Sequence, residues 1–165
     1  MAIKRLEDLT NSEIERLISC DKILKSAPPK LAPYKNRNYN KKFKVFSTAE
    51  DEEFLVFFSR GSREEDFSLG LIYPALPEQP MLLRCNGFHG TTKKGFYITQ
   101  HHAVVHSHTL CEKDILQMHP SKPSSITELT GEYYDFDSAV HFFCKKCGII
   151  NYTKYFSEYF QASLW

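Results

Sequence analysis

Met81–Leu110, MLLRCNGFHGTTKKGFYITQHHAVVHSHTL, holds five of the chain's seven histidines between His89 and His108. Its ends are patterned as strands, and its middle is broken by glycine. Met81–Cys85 reads as one strand. Asn86-Gly87 is a turn signal, and Gly90 gives a second flexible point. Lys93, Lys94 and Gly95 make the loop basic, and Phe96–Thr99 reads as a short extension. His102–Leu110 returns as the second strand. Alternation places His102, Val104, His106, His108 and Leu110 on one face. Three imidazoles on one side of a strand point to a site without naming its reaction.

The segments before this stretch extend the sheet. Phe43–Ser47 alternates, Phe54–Ser59 is continuously apolar and reads as central, and Phe67–Tyr73 is a third strand. Arg60-Gly61-Ser62-Arg63 and the acidic residues after it form a turn. Connections this short imply an antiparallel meander rather than βαβ crossovers. Pro74, Pro77 and Pro80 stiffen the approach to Met81. At the N-terminus, Thr10 and Glu13 form a capping box, with Leu9 and Ile14 at the staple positions. Ile14, Leu17, Ile18 and Leu24 supply an apolar stripe, so a helix is expected from Asn11 to Ser26, ended by Pro28 and Pro29.

After the stretch, a polar connection from Cys111 to Thr130 leads to a second helix. Asp135 or Asp137 caps it, Ala139, Val140, Phe142, Phe143 and Cys147 are its apolar positions, and Gly148 is its C′ residue. Residues 151–165 place Tyr152, Tyr155, Phe156, Tyr159 and Phe160 on one helical face, which docks on the domain or meets a partner. The expected fold is one α+β domain over residues 1–165. It has an N-terminal helix, an antiparallel sheet of about five strands and C-terminal helices packed on one face.

Composition narrows the function classes only partly. The 165 residues are 42% apolar, with 13 Phe and 9 Tyr, which suits a globular core. Lys plus Arg is 21 against 20 for Asp plus Glu, so net charge selects no partner. No secretory signal is read at the N-terminus and no apolar run reaches membrane-spanning length, so no membrane partner is expected. Five irregularly spaced cysteines argue against a disulfide framework and for a reducing cytoplasm.

Three constellations carry chemistry. His106-Ser107-His108 can aim two imidazoles at one point, as metal ligands or as an acid/base pair acting on a phosphate. The bland alternative is a polar sheet surface. Cys144-Lys145-Lys146-Cys147 is half of a zinc site, with His141 one helical turn earlier. Completion would recruit Cys111, Cys85 or the histidines, and cysteines at this spacing also serve as core residues. Arg84, His89, Lys93 and Lys94 supply the cations and the base that a metal-independent ribonuclease needs around a scissile phosphate. A fourth feature is the acid-poor segment from Lys22 to Lys44. It interleaves Lys22, Lys25, Lys30, Lys35, Arg37, Lys41, Lys42 and Lys44 with Tyr34 and Tyr39. That composition fits a nucleic-acid edge or, more blandly, a solvated loop entering an edge strand.

Taken together, Leu82, Arg84, Asn86, Gly87, His89 and Gly90, then His106 and His108, then Cys144, Cys147 and Ile149 resemble a family of small, uncharacterised bacterial and phage-associated proteins. The resemblance covers residues 9–150. More distantly, the Arg strand, His-Gly loop and H-x-H strand resemble the TumE and RelE class of toxin–antitoxin ribonucleases, compact α+β domains. The chain differs by the insertion TTKKGFYITQ and by its near-neutral charge. The resemblance implies a small endoribonuclease of a toxin–antitoxin or phage-defence setting. His106, His108 and His89 would be catalytic, and Arg84, Lys93 and Lys94 would bind phosphate. RNA would be the substrate and an antitoxin or defence complex a protein partner. The alternative is a non-catalytic binding protein of a phage or mobile element that inhibits a host defence complex. Zinc on Cys144 and Cys147 is compatible with either; otherwise no cofactor is expected.

Overall fold

Among the described residues, seven strands pair in chain order into one antiparallel sheet. They are β1 Ala32–Tyr34, β2 Asn38–Ser47, β3 Glu52–Arg60, β4 Phe67–Ile72, β5 Met81–Asn86, β6 His106–Thr109 and β7 Ile126–Leu129. The computed structural model describes residues 3–34, 38–88 and 104–160. Four helices accompany the sheet among these residues: α1 Asn11–Ser19, α2 Glu112–Leu116, α3 Phe136–Lys146 and α4 Tyr152–Tyr155. The α+β class and the meander follow the expectation. The strand count does not: β1 and β7 are additional edge strands. β1 contains Pro33, and β7 is four residues inside a polar connection, so neither carries a strong strand pattern.

The register sorts side chains into two faces. On one, Phe43, Val56, Leu71 and Leu83 form a cross-strand row, and Phe58, Leu69 and Cys85 form the next. A register irregularity at Leu71/Ile72 lets Leu82 join the same core as Leu83. This face meets the helices. Phe58 packs edge-on against Phe136 and Phe143 of α3 and lies 5.5 Å from Phe156. The aromatic tail therefore docks, but as the single turn α4 and a 3-10 turn at Ser157–Tyr159, not as one long helix. Residues 161–165 lie outside the described residues.

α1 is shorter than expected. Thr10 caps it by accepting from the Glu13 N–H at 3.2 Å. Glu13 does not complete the box; its carboxylate takes Arg16 instead. The helix stops at Ser19 because the next residues pair elsewhere. Lys22 bridges Ile149, and Ile23 exchanges two backbone hydrogen bonds with Phe46. Tertiary pairing overrides the local helical pattern there. Leu24 still reaches the core, from an extended segment.

Lys22 joins two helix ends. Its ammonium, fully buried, donates at 2.9 Å to the carbonyls of Ile18, Cys20 and Cys147. Those carbonyls close α1 and α3, where the helix dipoles are negative and the last C=O groups lack intrahelical partners. Of the two expected caps it is Asp135 that closes the start of α3, and Gly148 follows its end at φ +63°, in the left-handed region. A Cβ there would strike the Ser19 and Cys20 carbonyls. No helix among the described residues is long and apolar enough to cross a membrane.

Candidate functional site

The other face of the sheet is where the register brings the sequence-predicted residues together. One row runs Lys42, Phe57, Gly70, Arg84, His108, Thr127. The next runs Asn40, Ser59, Ser68, Asn86, His106, Leu129. Arg84 therefore stands directly opposite His108, and Asn86 opposite His106. The two imidazoles share a face as expected, 4.9 Å apart and edge-on. Leu110 lies beyond the strand end and belongs to the core. His89, Lys93, Lys94 and His102 lie outside the described residues.

A line of hydrogen bonds crosses these rows in one direction. Arg84 Nε–H donates to Ser68 Oγ at 2.9 Å, and the Ser68 hydroxyl donates to Asn86 Oδ1 at 2.9 Å. The Asn86 amide then donates to His106 Nε2 at 3.3 Å. His106 Nδ1 lies 2.9 Å from the Val104 carbonyl. A carbonyl only accepts, so Nδ1 carries the proton and Nε2 the lone pair. Thus the line fixes both the tautomer of His106 and the side-chain amide of Asn86. Tyr133, from the core side, holds the same hairpin; its hydroxyl donates to the His106 carbonyl at 2.6 Å. Burial pushes the Tyr133 hydroxyl well above its usual range, so it stays a donor.

His108 is held differently. The Thr127 hydroxyl donates to the Ser124 carbonyl at 3.2 Å, so it accepts from His108 Nδ1–H at 2.9 Å. Nε2 is then the basic nitrogen of His108. Both imidazoles are buried, His106 at 0% exposure and His108 at 8%.

Beside Arg84 is a polar cleft of about 200 Å³. Asn38, Ser59, Asp66, Ser68, Arg84 and Asn86 line it, with Gly61 and Phe67. Neither histidine reaches its lining. Arg84 is half-buried, and burial pulls its guanidinium below the ordinary value. No carboxylate among the described residues pairs with it. Asp66 is also half-buried. Burial raises its carboxyl above the ordinary value, while Arg63 opposes that shift and Glu65 adds to it. Its carboxylate packs over Gly61, where a Cβ would collide with it. So two desolvated, opposite charges line one cleft without pairing. A larger hollow of about 470 Å³ lies by Glu132, His141, Phe142, Lys145 and Lys146. There His141 is bonded to the Tyr152 hydroxyl and Lys146 is paired with Glu128.

The remaining candidates are dispersed. Lys22 is buried at the helix ends. Lys41 is buried too, donating to the Tyr159 hydroxyl at 3.1 Å beside the Phe58 and Phe156 rings. Lys44 pairs with Glu53, and Lys25 lies over Phe46. The basic segment therefore presents no continuous cationic edge among the described residues. Cys144 and Cys147 are wholly buried. Burial drives both thiols up, and pushes Cys85 on β5 up to about 12. Zinc needs thiolates and four donors. Among the described residues no three His, Cys, Asp or Glu side chains gather to hold a metal.

The sequence pattern did not mark Asp66, Ser68 or Ser59, and it marked Asn86 as a turn residue and a motif position. The available signal was the meander itself: once Arg84 is placed on a strand, its cross-strand neighbours follow from the register. Comparison of the chain with protein-family models, curated proteins and solved structures found no match in any of the three.

Proposed function

We propose that this chain binds RNA through a phosphate held at Arg84 and cleaves it as a small toxin-type ribonuclease. One observation carries the reading. Arg84 is a half-buried guanidinium, aimed by its Nε bond to Ser68, with no carboxylate partner among the described residues. A buried cation loses hydration that only acceptors restore. Phosphate oxygens match the guanidinium fork and its charge.

In this reading His108, directly across from Arg84, is the acid/base candidate, its ring aimed by Thr127. His106 is a positioning residue: with both nitrogens engaged, it holds Asn86 and, through Ser68, Arg84. His89, Lys93 and Lys94 keep their proposed acid/base and phosphate roles. The toxin–antitoxin or phage-defence setting rests on the motif resemblance alone.

A second reading, RNA binding without cleavage, is favoured by the absence of both histidines from the cleft lining. End-labelled single-stranded RNA incubated with purified protein separates the two. Cleavage that disappears in His108→Ala, with binding kept, supports the ribonuclease. Binding without cleavage in the unmodified protein supports the second reading. No binding by the unmodified protein rejects both.

A further inference from the structure

We propose that Asp66 reads a guanine base in the cleft beside Arg84, making the site selective for guanine-containing RNA. The inference rests on the phosphate role given to Arg84 above and adds a second anchor. Asp66 and Arg84 line the same cleft of about 200 Å³, yet no ion pair joins them and neither perturbs the other. The Asp66 carboxylate accepts no hydrogen bond from any described residue; only its backbone carbonyl does, from the Gly61 N–H. Burial disfavours its charged form, so the fold holds this carboxylate at a cost. Gly61 gives it room, since any side chain there would displace it.

A ligand that completes this cleft brings hydrogen-bond donors to Asp66 and an anion to Arg84. A nucleotide does both. Among the four RNA bases, only guanine presents two adjacent donors, N1–H and N2–H₂, which match the two oxygens of one carboxylate. Adenine and cytosine offer one amino group beside an acceptor nitrogen. Uracil offers a single N–H between two carbonyls, which repel a carboxylate. Asn38, Ser59 and Asn86 supply neutral groups that hydrogen-bond without selecting a charge.

The test is a binding series with GMP, AMP, CMP and UMP, and with the tetranucleotides UUGU and UUAU. Guanine is expected to bind about tenfold or more tightly than the others in both sets. Asp66→Asn should remove that preference, because an amide keeps only one acceptor. It should also raise the melting temperature, because it removes a charge that burial opposes. Arg84→Ala should weaken all nucleotides alike. Equal binding of all four nucleotides, lost in Arg84→Ala, overturns the guanine assignment and leaves the phosphate role standing. No binding of any nucleotide or tetranucleotide overturns both. A preference for GMP that is absent between UUGU and UUAU overturns the assignment to RNA. Unchanged preference with a lower melting temperature in Asp66→Asn makes the carboxylate structural and overturns the proposal.

Discussion

Replacing Lys22 with methionine isolates the joint that links the two main helices. Methionine keeps the apolar stem and removes only the ammonium. Three carbonyls then lose a charged donor at 2.9 Å. Those of Ile18 and Cys147 are buried and cannot turn to water; that of Cys20 is partly wet. Each stripped buried acceptor costs about 1–3 kcal/mol, and each helix end loses about 0.3–1 kcal/mol of dipole stabilisation. Against this, burial pulls the Lys22 pKa below its ordinary 10.5, so the ammonium itself is held at a cost that methionine removes. The net expectation is a loss of about 3 kcal/mol, or about 6–12 °C in melting temperature for a chain of this size. Lys41→Met is the internal comparison. Lys41 is buried too, but among the described residues it donates only to the Tyr159 hydroxyl, so its loss should cost about 1 kcal/mol. Chemical denaturation of both variants, with equal m-values, measures the difference. A Lys22→Met protein as stable as the unmodified chain, or no less stable than Lys41→Met, refutes the carbonyl argument.

Other consequences follow from single groups. Gly148→Ala puts a side chain at φ +63° against two carbonyls and should cost about 2–4 kcal/mol by denaturant titration. Asp114 accepts from Ser124 N, Ser125 N and Ser125 Oγ at 3.1, 3.0 and 2.7 Å. Burial alone would raise its carboxyl, but these hydrogen bonds outweigh burial and hold it below the ordinary 3.8. A depressed acid stabilises the fold above its unfolded pKa and loses that contribution as pH falls through the folded one. The stability gap between unmodified protein and Asp114→Ala should therefore be full near neutrality and shrink below pH 3.8. Among the thiols, Cys20 is half-exposed while Cys85, Cys144 and Cys147 are buried and protonated. A thiol reagent should label Cys20 first and reach Cys85, Cys144 and Cys147 only after unfolding.

Sequence reading reached the elements whose physics is local. Thr10 and Asp135 announce helix starts, Gly148 announces a helix end, and alternation at His106 and His108 puts both rings on one face. The failures share a cause: the deciding partner is distant in sequence. α1 stops at Ser19 because Ile23 pairs with Phe46 and Lys22 reaches Cys147, which no window around residue 20 contains. Lys22 and Lys41 look like parts of a basic surface, and only tertiary packing turns them inward. Cys144 on α3 and Cys147 just after it are both turned into the core, which their spacing alone does not announce. Arg84 was legible as a strand cation. Its place beside Asp66 was not, because the cleft is assembled from β2 to β5.

If Arg84 anchors an anion, RNA binding must depend on salt through it. Affinity for a short single-stranded RNA should be measured from low to moderate salt for the unmodified protein and Arg84→Ala. Binding should be weaker in the variant, with the slope of log affinity against log salt shallower by about 0.7, the loss of one phosphate contact. Equal affinity and equal slope in the two proteins would contradict that anchoring role.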